Sequence, residues 1–267
     1  MSYKDVLPSI AKYEFKGIQD CLQILDQKQE QYEKNMDSFP YVFFTIDERA
    51  FLDCFENSEE RELRKSWEFY DPSIKLLLVK IMESGPHATA TAAFTQIFLT
   101  WRGPFDPNRP LVSTATNIFR GSLNKKKKAD CSWTPAHPGL NRKWPTIAVE
   151  VAWSEPGWKL IQDVEFWLNQ CHGQVNIVLT INICERGRIL IRQWRSGARG
   201  PVQVQKIEIT KDPAPKTEKI QGSMKLPFEQ IHLRPKGPNE TDFIISHQDM
   251  ENLAAEVWAS QRLDEST

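Results

Sequence analysis

The chain reads as an α/β protein built on a central mixed sheet, and three observations lead there. The segment HATATAAFTQIFLTW places Ala90, Phe94, Ile97 and Trp101 on one helical face. Two strand-like segments, ADCSWTP and WPTIAVEVAW, then flank the Pro-rich turn TPAHPGLNRKWP, which predicts an antiparallel pair. Beyond them, a helix with Leu160, Val164, Trp167, Leu168 and Cys171 at helical spacing leads into VNIVLTINI. That last run is apolar on both faces, as expected of a central strand lying parallel to its predecessor across a helical crossover.

The elements before this core are expected to be mostly helical. Ile10, Tyr13, Ile18, Cys21, Leu22 and Leu25 recur at roughly helical intervals, so residues 8–36 read as a helix that turns polar at its end. YVFFTI reads as a short strand. Two further helical pieces, DERAFLDCF and SEERELRKSWEF, have Asp47 and Ser58 as N-cap residues. YDPSIKLLLVKIM then opens the core with a buried strand at Leu76, Leu77, Leu78 and Val79. Past Ile189 come meandering strands, ILIRQW, VQVQKIEIT, GSMKLPF and DFIIS, and a final helix around residues 248–261 with Met250, Leu253, Ala254 and Val257 on one face. The expected organisation is a helical extension over 1–69, a core over 70–195, and strands and a helix over 196–267 that complete the same globule. The extension reads as packing cover or as a lid.

Composition removes several classes. Charges nearly cancel, 34 Lys+Arg against 35 Asp+Glu, so any attraction to nucleic acid must be local. The 5 cysteines are scattered and lack metal-ligand spacing, which reads as reduced thiols and argues against structural zinc. The N-terminus carries charges where a signal peptide needs an apolar stretch, and no apolar run reaches spanning length. An intracellular protein, cytoplasmic or nuclear, with no membrane partner is expected. Neither G-x-G-x-x-G nor G-x-x-x-x-G-K-[ST] occurs, and no G-x-S-x-G elbow is present.

The chemistry sits on the antiparallel pair. Asp130 follows four lysines at the head of the first strand, and Glu150 interrupts the apolar run Ile147, Ala148, Val149, Val151 in the second. A carboxylate inside so apolar a strand is costly unless paired or metal-bound. Two carboxylates near one Mg²⁺ (or Mn²⁺) are what phosphodiester hydrolysis uses. The plain alternative is that each acid pairs with a nearby Lys or Arg.

The run from Tyr70 to Trp194, with Asp130 in ADCSW, the strand WPTIAVEVAWSE, the helix GWKLIQDVEFWLNQC and the strand QVNIVLTINI, resembles the PD-(D/E)xK nuclease superfamily, and within it a group of uncharacterised fungal proteins. The closing FIISHQDMENLAAEVW fits the same group. The resemblance implies a three-layer restriction-endonuclease-like core. It also implies an Mg²⁺-dependent nuclease in which Asp130, Glu150 and the Val151 carbonyl hold the metal. Two positions depart from the pattern: Ala129 stands where proline is usual, and Ala152 where the family's lysine offsets charge at the phosphate. Relatives without that lysine can supply it from the next helix, where Lys159 is the first lysine; its plain reading is a solvent-facing helix residue. From the preceding helix, His87 or Gln96 could join the site.

Two basic stretches could meet a phosphate backbone: Arg120, Lys125, Lys126, Lys127, Lys128, Arg142 and Lys143 in one, and RGRILIRQWRSGARG with Arg192 in the other. A lysine run is also often a solvated loop or an import signal. Three functions remain open at this point: a metal-dependent nuclease, an inactive nuclease-like fold that binds nucleic acid or a protein, and a structural protein whose acids are merely paired.

Overall fold

The computed structural model describes residues 12–34, 40–102, 111–115, 117–137, 140–153, 157–184, 186–211 and 219–264. In chain order they form β1 (Lys12–Glu14), α1 (Ile18–Lys34), β2 (Tyr41–Thr45), α2 (Glu48–Phe51) running into a π turn, α3 (Arg61–Ser66), β3 (Trp67–Asp71) and β4 (Leu76–Lys80). Next come α4 (Gly85–Arg102), β5 (Leu111–Ser113), β6 (Phe119–Arg120), β7 (Lys126–Lys127), β8 (Cys131–Pro135), β9 (Ile147–Trp153), α5 (Gly157–Asn169) and β10 (Ile177–Ile183). The chain closes with β11 (Ile189–Gly197), β12 (Gly200–Ile209), β13 (Ile220–Gln221), β14 (Met224–Leu226), α6 (Phe228–His232), β15 (Phe243–Ile245) and α7 (His247–Asp264). The expected α/β class with mixed sheets is what the chain adopts.

The chain divides into two units, one of residues 1–83 and 118–128, the other of residues 84–117 and 129–267. The first carries a sheet in the order β1-β2-β4-β3-β7-β6. Its interior is aromatic: Phe51 stacks on Tyr70 at 4.0 Å and meets Trp67 edge-on at 5.0 Å. This replaces the helical extension expected over 1–69. The strand at Leu76, taken to open the core, lies here between β2 and β3. The physical reason is local: β3 and β4 form an antiparallel hairpin closed by a tight turn whose Lys75 N–H donates to the Pro72 carbonyl. A short loop costs far less closure entropy than reaching a distant sheet. An unbroken apolar run says that a strand is buried, not in which sheet. The helix expected over 8–36 starts at Ile18, after β1; Ile10 lies outside the described residues. Asp47 caps α2 as expected, accepting from the Ala50 N–H at 2.9 Å, whereas Ser58 instead accepts from the Glu60 N–H before α3.

The second unit holds a sheet in the order β13-β12-β11-β10-β9-β8-β5. β9 is antiparallel to β8 and parallel to β10, and α5 makes the crossover, as the patterning predicts. Strand alternation sends Ile147, Val149 and Val151 to one face, where they join Phe94 and Phe98 of α4 and Leu253 and Val257 of α7 in one apolar core. Burying each such side chain contributes about 1.5–3 kcal/mol. The other face meets α5. β14 and β15 pair separately.

Candidate functional site

Asp130 sits one residue before β8. The β8–β9 register pairs Cys131 with Val149, so its continuation sets Asp130 beside Glu150. β8 has no strand residue opposite Val151, and the Asp130 carboxylate takes that place: Oδ2 accepts the Val151 N–H at 2.8 Å. In a β-strand, the N–H and C=O of one residue point toward the same neighbour. The Val151 carbonyl is therefore directed to the Asp130 side of β9. The other carboxylate oxygen, Oδ1, lies 3.3 Å from Nε2 of His87, which is buried in the first turn of α4.

Glu150 is 1% exposed, and its Oε1 accepts the indole N–H of Trp167 on α5 at 2.5 Å. The register continues the row away from Asp130: Glu150 pairs with Thr180, Thr180 with Arg192, and Arg192 with Lys206. Paired positions share a face. Glu150, Thr180, Arg192 and Lys206 thus form one polar row across four strands. Trp194, on the same strand as Arg192, donates to the Thr180 hydroxyl at 3.0 Å.

Lys159 and Asp163 lie one and two turns before Trp167 on the same stripe of α5, at i, i+4 and i+8. The Lys159 ammonium is 3.2 Å from Asp163 Oδ2, with both side chains at most 1% exposed. The reading of Lys159 as solvent-facing is therefore corrected. Its amphipathic helix turns this stripe inward because Leu160, Val164 and Leu168 on the adjoining arc are buried too. Ala152, which takes the position of the family's lysine, is fully buried on β9, with Asn182 beside it in β10.

The basic run behaves differently from its sequence reading. Lys126 is 2% exposed and pairs with Glu56 at 2.6 Å, and Arg120 pairs with the same carboxylate. Lys125 bonds Asp71 at 2.9 Å, and Lys127 is buried. The Lys128 ammonium lies 4.0 Å from the centre of the Trp67 ring and donates to the Arg64 and Trp67 carbonyls. Burial pushes its pKa down to about 8. These residues consolidate the first unit rather than presenting a phosphate-binding stripe. In the second unit Arg142 donates to the Trp144 and Gln174 carbonyls, burial lowering its pKa, while Lys143 is exposed and Arg192 half-buried.

Asp163, Trp167 and Thr180 were not singled out by sequence. The signal available was the i, i+4 spacing of a lysine and an aspartate within an otherwise apolar helix. Among the described residues, no group of three or more His, Cys, Asp or Glu side chains forms a cage for a metal. Two carboxylates with a strand carbonyl directed beside them still fit Mg²⁺, which is usually held by one or two carboxylates and completes its shell with water and phosphate oxygens. No helix among the described residues is long and apolar enough to cross a membrane. No family model, curated protein or solved structure matches the chain.

Proposed function

We propose that the second unit is a restriction-endonuclease-like core of the PD-(D/E)xK kind and that it hydrolyses nucleic-acid phosphodiester bonds with Mg²⁺, or Mn²⁺ in its place. The observation that supports this best is the register that sets Asp130 beside Glu150, with the Val151 backbone directed at the Asp130 carboxylate. Asp130, Glu150 and the Val151 carbonyl would hold the metal. When bound, it supplies Lewis-acid activation of the phosphate and of the attacking water. Lys159 contributes positive charge from α5 in place of the strand lysine absent at Ala152. Asp163 favours the charged form of that ammonium against the cost of burial. His87 orients the Asp130 carboxylate through its Nε2 contact. Lys143 and Arg192 are the expected positions that remain to meet the nucleic-acid backbone from this unit.

A second reading has its own support: both carboxylates already have protein partners, and Ala152 is buried with no ammonium of its own. On that reading the unit binds nucleic acid or a protein without cutting. Incubating the full chain with single- and double-stranded DNA and RNA, with Mg²⁺ and with Mn²⁺, separates the two. Cleavage that Asp130→Ala and Glu150→Ala each abolish supports the nuclease. Salt-sensitive binding of uncut substrates, unaffected by these changes, supports the binding module.

A further inference from the structure

Glu150 is the most deeply buried of the proposed metal ligands, and a buried carboxylate free to rotate would hold a cation poorly. Its orientation is set from α5. The Trp167 indole is fully buried and gripped edge-on by two rings, Trp144 at 5.9 Å and 89° and Phe166 at 5.4 Å and 88°. Its N–H therefore has one direction available, and that direction ends on Glu150 Oε1 at 2.5 Å. An indole N–H is a donor only, so Trp167 can neither bind a cation nor accept a proton. It favours the ionised carboxylate and fixes its rotation. Outer partners of this kind orient a metal's ligands, and their loss typically weakens metal affinity about 10–100-fold.

We infer that Trp167 is a positioning residue that holds the Glu150 carboxylate for a divalent cation, and that its indole N–H reports on that cation's arrival. The inference rests on the metal-dependent reading of the site. The substitution that tests it is Trp167→Phe, which keeps a buried ring and removes the donor. Calorimetric titration of the full chain with Mn²⁺ is expected to show affinity lost in Asp130→Asn and weakened about tenfold in Trp167→Phe. The indole N–H resonance missing from the Trp167→Phe spectrum is expected to move when Mg²⁺ is added to the parent protein, and to move upfield in Glu150→Gln.

Parent-like Mn²⁺ affinity in a folded Trp167→Phe protein, with affinity lost in Asp130→Asn, overturns the inference and leaves the proposed function standing. An indole resonance that ignores Mg²⁺ while calorimetry shows binding does the same. Parent protein that binds neither ion overturns the metal reading itself, and this inference with it. Should Trp167→Phe prove too unstable to titrate, the indole resonance of the parent protein with and without Mg²⁺ still decides.

Discussion

The two faces of β9 differ by a single residue step, and they do opposite things. Ile147, Val149 and Val151 point to a layer closed by α4 and α7, and every neighbour named there is apolar. Ala148, Glu150 and Ala152 point to α5, where Glu150, Lys159 and Asp163 are buried as deeply as any core leucine. The first face accounts for stability. The second does not need its charges for that purpose, because buried ion pairs add little over well-packed apolar residues of the same volume. Charge kept in a dry layer at no gain in stability is the mark of a site.

Reversing this contrast on the apolar side should have the largest effect. Ile181→Asp places a charge with no partner among Ile147, Val149 and Phe94, and the second unit is expected to lose its cooperative unfolding transition by circular dichroism. On the α5 side, Asp163→Leu strands the Lys159 ammonium and should cost about 3–5 kcal/mol in denaturant titrations. Adding Lys159→Met should recover that loss, and the double variant should match or exceed the parent by about 1–4 kcal/mol while losing cleavage. A double variant that stays as unstable as Asp163→Leu would show that the pair holds the fold rather than serving the site.

The smallest effect concerns the first unit and its pH dependence. The Lys128 pKa is lowered from 10.5 to about 8, chiefly by burial. The unfolded chain then holds this proton more firmly than the folded one, so stability should rise with pH between those two values. Lys128→Met should flatten that rise, which thermal melts across the window would detect.

The parts of this architecture legible in the sequence are those whose pattern decides the outcome alone. β9, α5 and β10 follow from an apolar run, a helical stripe and a second apolar run, and the register between Cys131 and Val149 follows from the hairpin they imply. Asp130 and Glu150 stood out because charge is rare in such strands. The destination of Leu76–Lys80 was not legible, since both sheets bury a strand of that composition. The lysine run misled for a related reason: sequence counts charges but does not show Glu56 and Asp71 waiting beside them. Lys159 was found by resemblance, and its inward direction emerged only with Asp163 and Trp167 on the same stripe.

The central claim is that Asp130 and Glu150 share one cation. Anomalous scattering from crystals of the full chain soaked in Mn²⁺ tests it most directly. The account predicts a single strong peak bounded by the Asp130 and Glu150 carboxylates and the Val151 carbonyl, at about 2.0–2.2 Å from each oxygen, and absent from Glu150→Gln crystals. Crystals that take up Mn²⁺ elsewhere, or hold none with both carboxylates still bound to His87, Val151 and Trp167 alone, would contradict it.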